Sequence, residues 1–269
     1  MRRFVCIAAI AGALLAAGPA CRAADPAPAS TPAADATTDE TDIPSNDIAQ
    51  GGGFERRDDK PADDLKPRAH MVAIVSALGD AIGYQAMNAE LWDGGYNITI
   101  PLTGANLDTA AEAMVLHALT ADIPGVGMKS MDVPRDALVA HGNSQRLSNG
   151  PRDLIRDDLK PWREAHDVDL IILLMPGEGA VDRHKTGRYF FGMGVSGRDA
   201  VLFLRVVVLD GKSGEVLSDM KARAVGRLGG LYPETVFSHP TPEGNAMLAA
   251  EMRNLLQGTI PGLLHNAGL

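Results

Sequence analysis

Two long apolar runs constrain the fold of this chain more than any other feature. Residues 71–78 and 167–175 are rich in Val, Ile, Leu and Met, and neither shows the strict alternation of a strand with one wet face. Their length and β-branched content are typical of strands buried on both sides. They predict a central sheet that other elements cover on both faces.

Further strands follow from shorter patterns. Residues 82–87 and 96–100 predict a hairpin, with Pro101 ending its second strand. Residues 200–209 predict a long strand that turns through a polar Gly-rich segment and returns as residues 215–225. The strand order is that of a meander toward the C-terminal half.

Three segments carry helical patterns. Asn106 or Asp108 can cap a helix whose apolar face is set at helical spacing, and a second amphipathic segment spans residues 150–165, where Pro161 is expected to kink or split it. Thr241 begins the last helix, with Pro242 and Glu243 after it and four inward positions: Met247, Leu248, Met252 and Leu255. Helices and strands are mixed without strict alternation, which predicts an α+β domain, one mixed sheet with helices packed on it.

The second half of the chain resembles several bacterial envelope domains. "HDVDLIILLMPGEG" and "AVLFLRVVVLDGKSGEVL" precede a terminal helix, and the hairpin between the strands has the form Asp-x-x-Ser-Gly-Glu over residues 210–215. This order is similar to that of the N-terminal domain of TolB, the curli-secretion lipoprotein and the lipoprotein activators of penicillin-binding proteins. The resemblance covers about residues 150–260. It implies an α+β fold and a partner-binding or assembly role, and it transfers no functional residue.

The first 24 residues have the pattern of a secretory signal peptide. Arg2 and Arg3 precede an apolar run over residues 4–17, and small side chains follow up to Ala24. The run is shorter than the roughly 20 residues that a permanent membrane helix needs. The sequence therefore predicts export to the periplasm.

Cys21 leaves the cleavage site open between two alternatives. Cleavage before it would expose the N-terminal cysteine of a lipoprotein, although Gly18 and Pro19 depart from the usual lipoprotein pattern. Cleavage after Ala23 would release an ordinary soluble protein. The other cysteine, Cys6, lies in the signal itself, so disulfides, thiolate metal sites and a cysteine nucleophile are not expected in the domain.

A linker is predicted over residues 25–66, ahead of a single domain over residues 67–269. Ala, Pro, Thr and Asp dominate the linker, and residues 22–66 hold 11 acidic and 5 basic side chains. So few large apolar side chains cannot offset the entropy of ordering the chain, which predicts disorder. The linker is either a tether that lets the domain reach a partner or a plain spacer. The remaining domain is mildly acidic with dispersed cations, which argues against nucleic acid and anionic membranes as partners.

No recognised catalytic or cofactor motif accompanies this domain. Residues 192–197 read GxGxxG, but a strand follows them where a dinucleotide site needs a helix. The seven histidines show no metal-ligand spacing. Three side chains are the first to check for hydrolytic chemistry: Asp80 after the first strand, His184 in a polar loop and Ser196 in the glycine-rich turn.

Three functions are consistent with these features. The first is a non-catalytic envelope protein that binds a protein partner, with a lipid at Cys21 as its only membrane attachment. The second is a periplasmic hydrolase, for which a cleft must join Asp80, His184 and Ser196. The third is a small-molecule-binding domain, for which an enclosed apolar pocket would be diagnostic. No cofactor is expected, and the sequence leaves the oligomeric state undetermined.

Overall fold

The computed structural model describes residues 53–56, 63–85, 97–131, 133, 135, 138, 159–180, 189–196, 199–228 and 241–269. The chain divides into two units, Met1–Ile43 and Pro44–Leu269, and every described residue belongs to the second. The signal segment, Cys21 and His184 therefore lie outside the described residues.

The described elements alternate irregularly between strands and helices. The strands are β1 (Gly53–Arg56), β2 (Met71–Ser76), β3 (Ala81–Gln85), β4 (Asn97–Pro101), β5 (Gly127–Lys129), β6 (Leu170–Pro176), β7 (Glu178–Ala180), β8 (Tyr189–Phe191), β9 (Met193–Ser196), β10 (Asp199–Asp210) and β11 (Val216–Arg227). The helices are α1 (Leu107–Asp122), α2 (Lys160–Ala165) and α3 (Pro242–Asn266), and Lys66–Arg68 form a 3-10 turn.

The main sheet is built around β10. Along one edge, β10 pairs antiparallel with β11, which in turn pairs antiparallel with β1. Along the other edge its first residues pair with β9 and its last seven with β6, so the sheet forks there. One branch continues as β6-β2-β5 and the other as β9-β3-β4. Parallel and antiparallel pairs coexist, which confirms the predicted mixed sheet and α+β class.

Both faces of β10 are covered, as its apolar sequence requires. Leu204, Val206 and Val208 belong to the core beneath α1 and α3, while Val207 and Leu209 belong to a second cluster on the opposite face. This alternation follows from the period of two in a strand. α1 and α3 therefore lie side by side on the same face of the sheet.

Residues 53–56 and 63–66 fall in the stretch predicted as linker, and there they pair and pack with the domain. β1 adds a short edge strand to β11. Leu65 is buried, and its N–H donates to the carbonyl of Gly268 (2.8 Å). Composition misses such a strand because backbone hydrogen bonds hold most of it, and three of its four residues are exposed.

Other local expectations change in detail. Gly192, with φ of 74°, divides the strand expected over residues 188–193 into β8 and β9. Met247, expected to face inward, is 48% exposed, whereas the other three inward positions of α3 are buried. Pro161 lies in the first turn of α2, where a missing N–H is tolerated.

Candidate functional site

The start of α1 is held by a carboxylate from outside the helix. Asn106 stands at the N-cap in a left-handed conformation, with φ of 50°, and its side chain makes no capping bond. Instead, Asp80 accepts a hydrogen bond from the Leu107 N–H (2.8 Å) and another from the Asn106 N–H (3.0 Å). Both oxygens of Asp80 are therefore used to satisfy N–H groups that a helix start leaves unpaired.

Asp108 fixes the same helix to the end of β2. Its carboxylate accepts hydrogen bonds from Ser76 Oγ (2.5 Å), the Leu78 N–H (2.8 Å) and the Gly79 N–H (3.2 Å). Glu112, one turn later, accepts from the Ser76 N–H (2.9 Å). These bonds determine where α1 crosses the sheet and hence where its outer face lies.

α3 begins as its sequence predicts and then continues through a proline. Thr241 Oγ1 accepts the hydrogen bond of the Gly244 N–H (3.1 Å), which confirms the predicted cap. Pro261 lies inside the helix. Because proline has no N–H, the carbonyl oxygen of Gln257 lacks the donor that position i+4 normally supplies. The helix persists there because Ile260 and Leu263 are fully buried against the sheet.

Residues of α1 and α3 together line an apolar groove of about 640 Å³. Its walls include four alanines of α1: Ala110, Ala113, Ala118 and Ala121. Leu119, Leu264 and Leu269 also line it, and each of these is almost completely buried. The leucines thus form a floor, and the short alanine side chains leave the space above it open.

Polar groups in the groove are few. His117 and Asp122 contribute from α1 and Gln257 from α3, all of them exposed. The carboxylate of Asp122 lies 3.7 Å from Lys66 Nζ. No lysine or arginine is among the described residues that line the groove. It can accept apolar side chains along its length and a cation or a hydrogen-bond donor at its polar positions.

The two helices that form the groove run in the same direction. Arg253 of α3 donates to the carbonyl of Ala105, which precedes α1, so the N-terminal part of α1 lies beside the middle of α3. At the other end, the neighbouring residues Leu65 and Lys66 contact Gly268 and Asp122, respectively. The C-terminal ends of both helices therefore lie at one end of the groove.

Neither Asp80 nor Ser196, two of the three candidates for hydrolysis, lines this groove. Asp80 caps α1, and Ser196 ends β9, where it is the partner of Asp199 in β10. His184 lies outside the described residues. After Gly192 the chain enters β9 and no helix follows, as the sequence predicts for this glycine-rich segment. The groove itself was not predicted, although four alanines at positions 110, 113, 118 and 121 share one helical face and could have indicated it.

A metal site and a membrane span are both absent from the described residues. No group of three or more His, Cys, Asp or Glu side chains in this part of the chain is arranged to hold a metal ion. Within the same residues, no helix combines the length and the hydropathy needed to cross a membrane.

Comparison with known proteins yields distant structural likenesses. No protein-family model and no curated protein matches the chain. Among solved structures, a PelC dodecamer from Paraburkholderia phytofirmans matches with a TM-score of 0.36 at 13% identity, covering 79% of this chain and 97% of that one. The hypothetical protein CT253 from Chlamydia trachomatis matches with a TM-score of 0.31 at 11% identity, covering 72% and 96%.

The C-terminal domain of LpoB from Salmonella enterica matches with a TM-score of 0.22 at 11% identity, covering 62% of this chain and 85% of that one. These distant likenesses are consistent with the loose resemblance that the sequence indicates. At TM-scores below 0.5 these likenesses say nothing about function.

Proposed function

We propose that this chain is an exported, non-catalytic envelope protein that binds an apolar segment of a protein partner in the groove between α1 and α3. The observation that carries the proposal is the groove itself, an alanine-walled channel with a leucine floor on the outer surface of two helices. Apolar surface of this kind is stabilised when another apolar surface removes it from water.

The shape of the groove favours a protein segment over a small molecule. Pockets for small molecules typically enclose about 70–90% of the ligand surface. Here Ala113, His117 and Ala121 are exposed along one wall, and Gln257 and Pro261 are exposed along the other. A channel open along its length between two helices is the geometry of helix-in-groove recognition.

The chemistry of the groove supports a binding role. His117 and Asp122 are its only ionisable side chains among the described lining residues, and no serine, threonine, cysteine, tyrosine or lysine joins them there. Nucleophilic catalysis by a hydroxyl, a thiol or an amine needs such a group within hydrogen-bond reach of a base. Asp80, the acid considered for hydrolysis, already accepts two backbone hydrogen bonds.

The predicted signal over residues 1–24 and the linker over residues 25–66 support an envelope location and a tethered domain. The described part of that linker joins the domain beside the groove. Arg56 Nη2 donates to the carbonyl of Asn266, the last residue of α3 (2.7 Å). A partner that enters the groove would therefore contact the domain near the point where the tether reaches it.

Site-specific photocrosslinking in the native host tests this proposal. A photoreactive residue replaces Ala113 or Ala121 in the groove, and Thr120, which is exposed on α1 but does not line the groove, gives the matched control. We expect one discrete protein adduct from both groove positions and none from Thr120. Ala118→Leu, which fills the groove, should abolish the adduct, whereas Thr120→Leu should not. Equal labelling at the three positions, or an adduct of small-molecule mass, would overturn the proposal.

A further inference from the structure

One end of the groove is electronegative. The C-terminal end of a helix carries a partial negative charge, and the parallel arrangement of α1 and α3 places two such ends together. The Asp122 carboxylate adds a full charge there. The last turn of α1 contains no basic residue, and that of α3 contains only His265.

Two cations compensate this charge in part. Arg56 Nη2 donates to the carbonyl of Asn266 at the end of α3 (2.7 Å) and leaves Asp122 to Lys66. The Nζ of Lys66 lies 3.7 Å from Asp122, and the side chains of Lys66 and Asp122 are 38% and 56% exposed. An ion pair this open to water is weak, so the lysine can be displaced at small cost.

The dimensions of the groove match a short helix. The α1 wall runs from Ala110 to Asp122, about 18 Å at 1.5 Å per residue. This length accommodates about three turns of a partner helix. Because the wall is built largely from alanines, the complementary surface must supply large side chains that fill the space above Leu119 and Leu264.

We infer that the partner segment is an amphipathic helix that inserts large apolar side chains between α1 and α3 and places its N-terminal end, with a Lys or Arg, beside Asp122. This inference rests on the proposed function. The positive end of the partner's dipole and its cation then face the two negative helix ends and the Asp122 carboxylate. The opposite orientation would bring like charges together and leave the partner's cation at the end of the groove that lacks a carboxylate.

A pair of peptides of equal charge tests the orientation. Both are 15-residue fluorescent helices with one leucine face, and they differ only in whether two lysines occupy the first or the last turn. Equal charge cancels their general attraction to an acidic chain. We expect the peptide with N-terminal lysines to bind the mature chain about three- to tenfold more tightly by fluorescence anisotropy.

Three variants test whether Asp122 causes the difference in affinity between the two peptides. Asp122→Asn should reduce the preference, and Lys66→Ala should increase it because the competing cation is gone. Asp199→Asn, a change of equal charge at an exposed residue outside the groove, should leave it unaltered. If both peptides bind equally, or if Asp122→Asn has no effect while Ala118→Leu still blocks binding, the inferred orientation is wrong and the groove remains the site. If neither peptide binds, or Ala118→Leu has no effect, the groove is not the site and the proposed function fails as well.

Discussion

Arg205 and Asp219 form an ion pair with two hydrogen bonds inside the sheet. Arg205 Nε donates to Asp219 Oδ1 (2.8 Å) and Nη2 donates to Oδ2 (2.7 Å). Their side chains are only 8% and 1% exposed. The pair joins β10 to β11 on the face opposite α1 and α3, because Arg205 alternates along β10 in phase with Val207 and Leu209. Charges buried this deeply are tolerated only when they neutralise each other.

Removing one member of this pair should be strongly destabilising. Asp219→Ala leaves the Arg205 guanidinium buried without its counter-charge, and we expect the free energy of unfolding to fall by about 3–5 kcal/mol. Urea denaturation of the purified chain measures it. Asp199→Ala, at an exposed aspartate of β10, should change it by less than about 0.5 kcal/mol. Similar losses for the two variants would contradict a structural role for the pair.

Asp80 should behave as a helix cap. Asp80→Ala leaves the N–H groups of Asn106 and Leu107 without their acceptor, and we expect a loss of about 1–2 kcal/mol in unfolding free energy. Asp80→Asn keeps one acceptor oxygen and should lose less. Thermal unfolding of the two variants beside Asp167→Ala, an exposed control, compares them. The capping geometry requires the melting temperature to be lowest for Asp80→Ala, intermediate for Asp80→Asn and highest for the wild type.

The ionisation of Asp210 should make the free energy of unfolding depend on pH in the acidic range. Burial opposes its ionisation, but hydrogen bonds from Ser213 and Lys212 and the charge of Arg68 together hold the pKa of this carboxyl below its usual 3.8. A lowered pKa in the folded state stabilises the fold above the unfolded value, and this contribution is lost as pH falls through the lowered pKa. Asp210→Asn should therefore be less stable than wild type at pH 7, and the difference should shrink below about pH 4.

Denaturant unfolding at pH 7 and pH 3 measures that difference directly. Asp199→Asn serves as the control because this aspartate is exposed. A gap between wild type and Asp210→Asn that stays constant across this range would show that the charge of Asp210 contributes nothing.

Two glycines should respond differently to substitution. A Cβ at Gly211 would lie 2.0 Å from the carbonyl oxygen of Val168, so Gly211→Ala must displace the β10–β11 turn, at about 2–3 kcal/mol. Gly104 has open space around it but a φ of 79°, so Gly104→Ala costs only backbone strain of about 1–2 kcal/mol. Asparagine tolerates the left-handed conformation. Asparagine should therefore reduce the free energy of unfolding less than alanine does at position 104. At position 211 it should reduce it at least as much as alanine does. Urea denaturation measures both losses.

The intact mass of the mature protein shows which residue is N-terminal and whether that residue carries a lipid. We expect either a chain that begins at Cys21 and carries a diacylglycerol and an acyl group or a bare chain cut after Ala23, because the sequence is compatible with both cleavage sites. Mass spectrometry of protein isolated from the native envelope measures it. A bare chain that begins near Ala24 would mean a soluble periplasmic protein and would remove the lipid anchor from the proposal.

The sequence determines the elements whose signals are local. β2 and β6 are buried on both faces, so their sequences are apolar throughout, and the cap at Thr241 is satisfied within three residues of itself. Patterns of this kind need only the neighbouring residues, which is why the sheet, the final helix and the α+β class follow from them.

Tertiary structure decides the features that join distant parts of the chain. Asp80 caps a helix that starts 27 residues later, and Arg205 meets Asp219 only because β10 and β11 are in register. β1 depends on backbone bonds to β11 that no side-chain pattern encodes. The groove is a space between helices that begin at residues 107 and 242, and the alanines of α1 become its wall only when α3 lies beside them. Its shape and its electronegative end arise from the parallel packing of α1 and α3, a relationship that exists only once the sheet has brought them together.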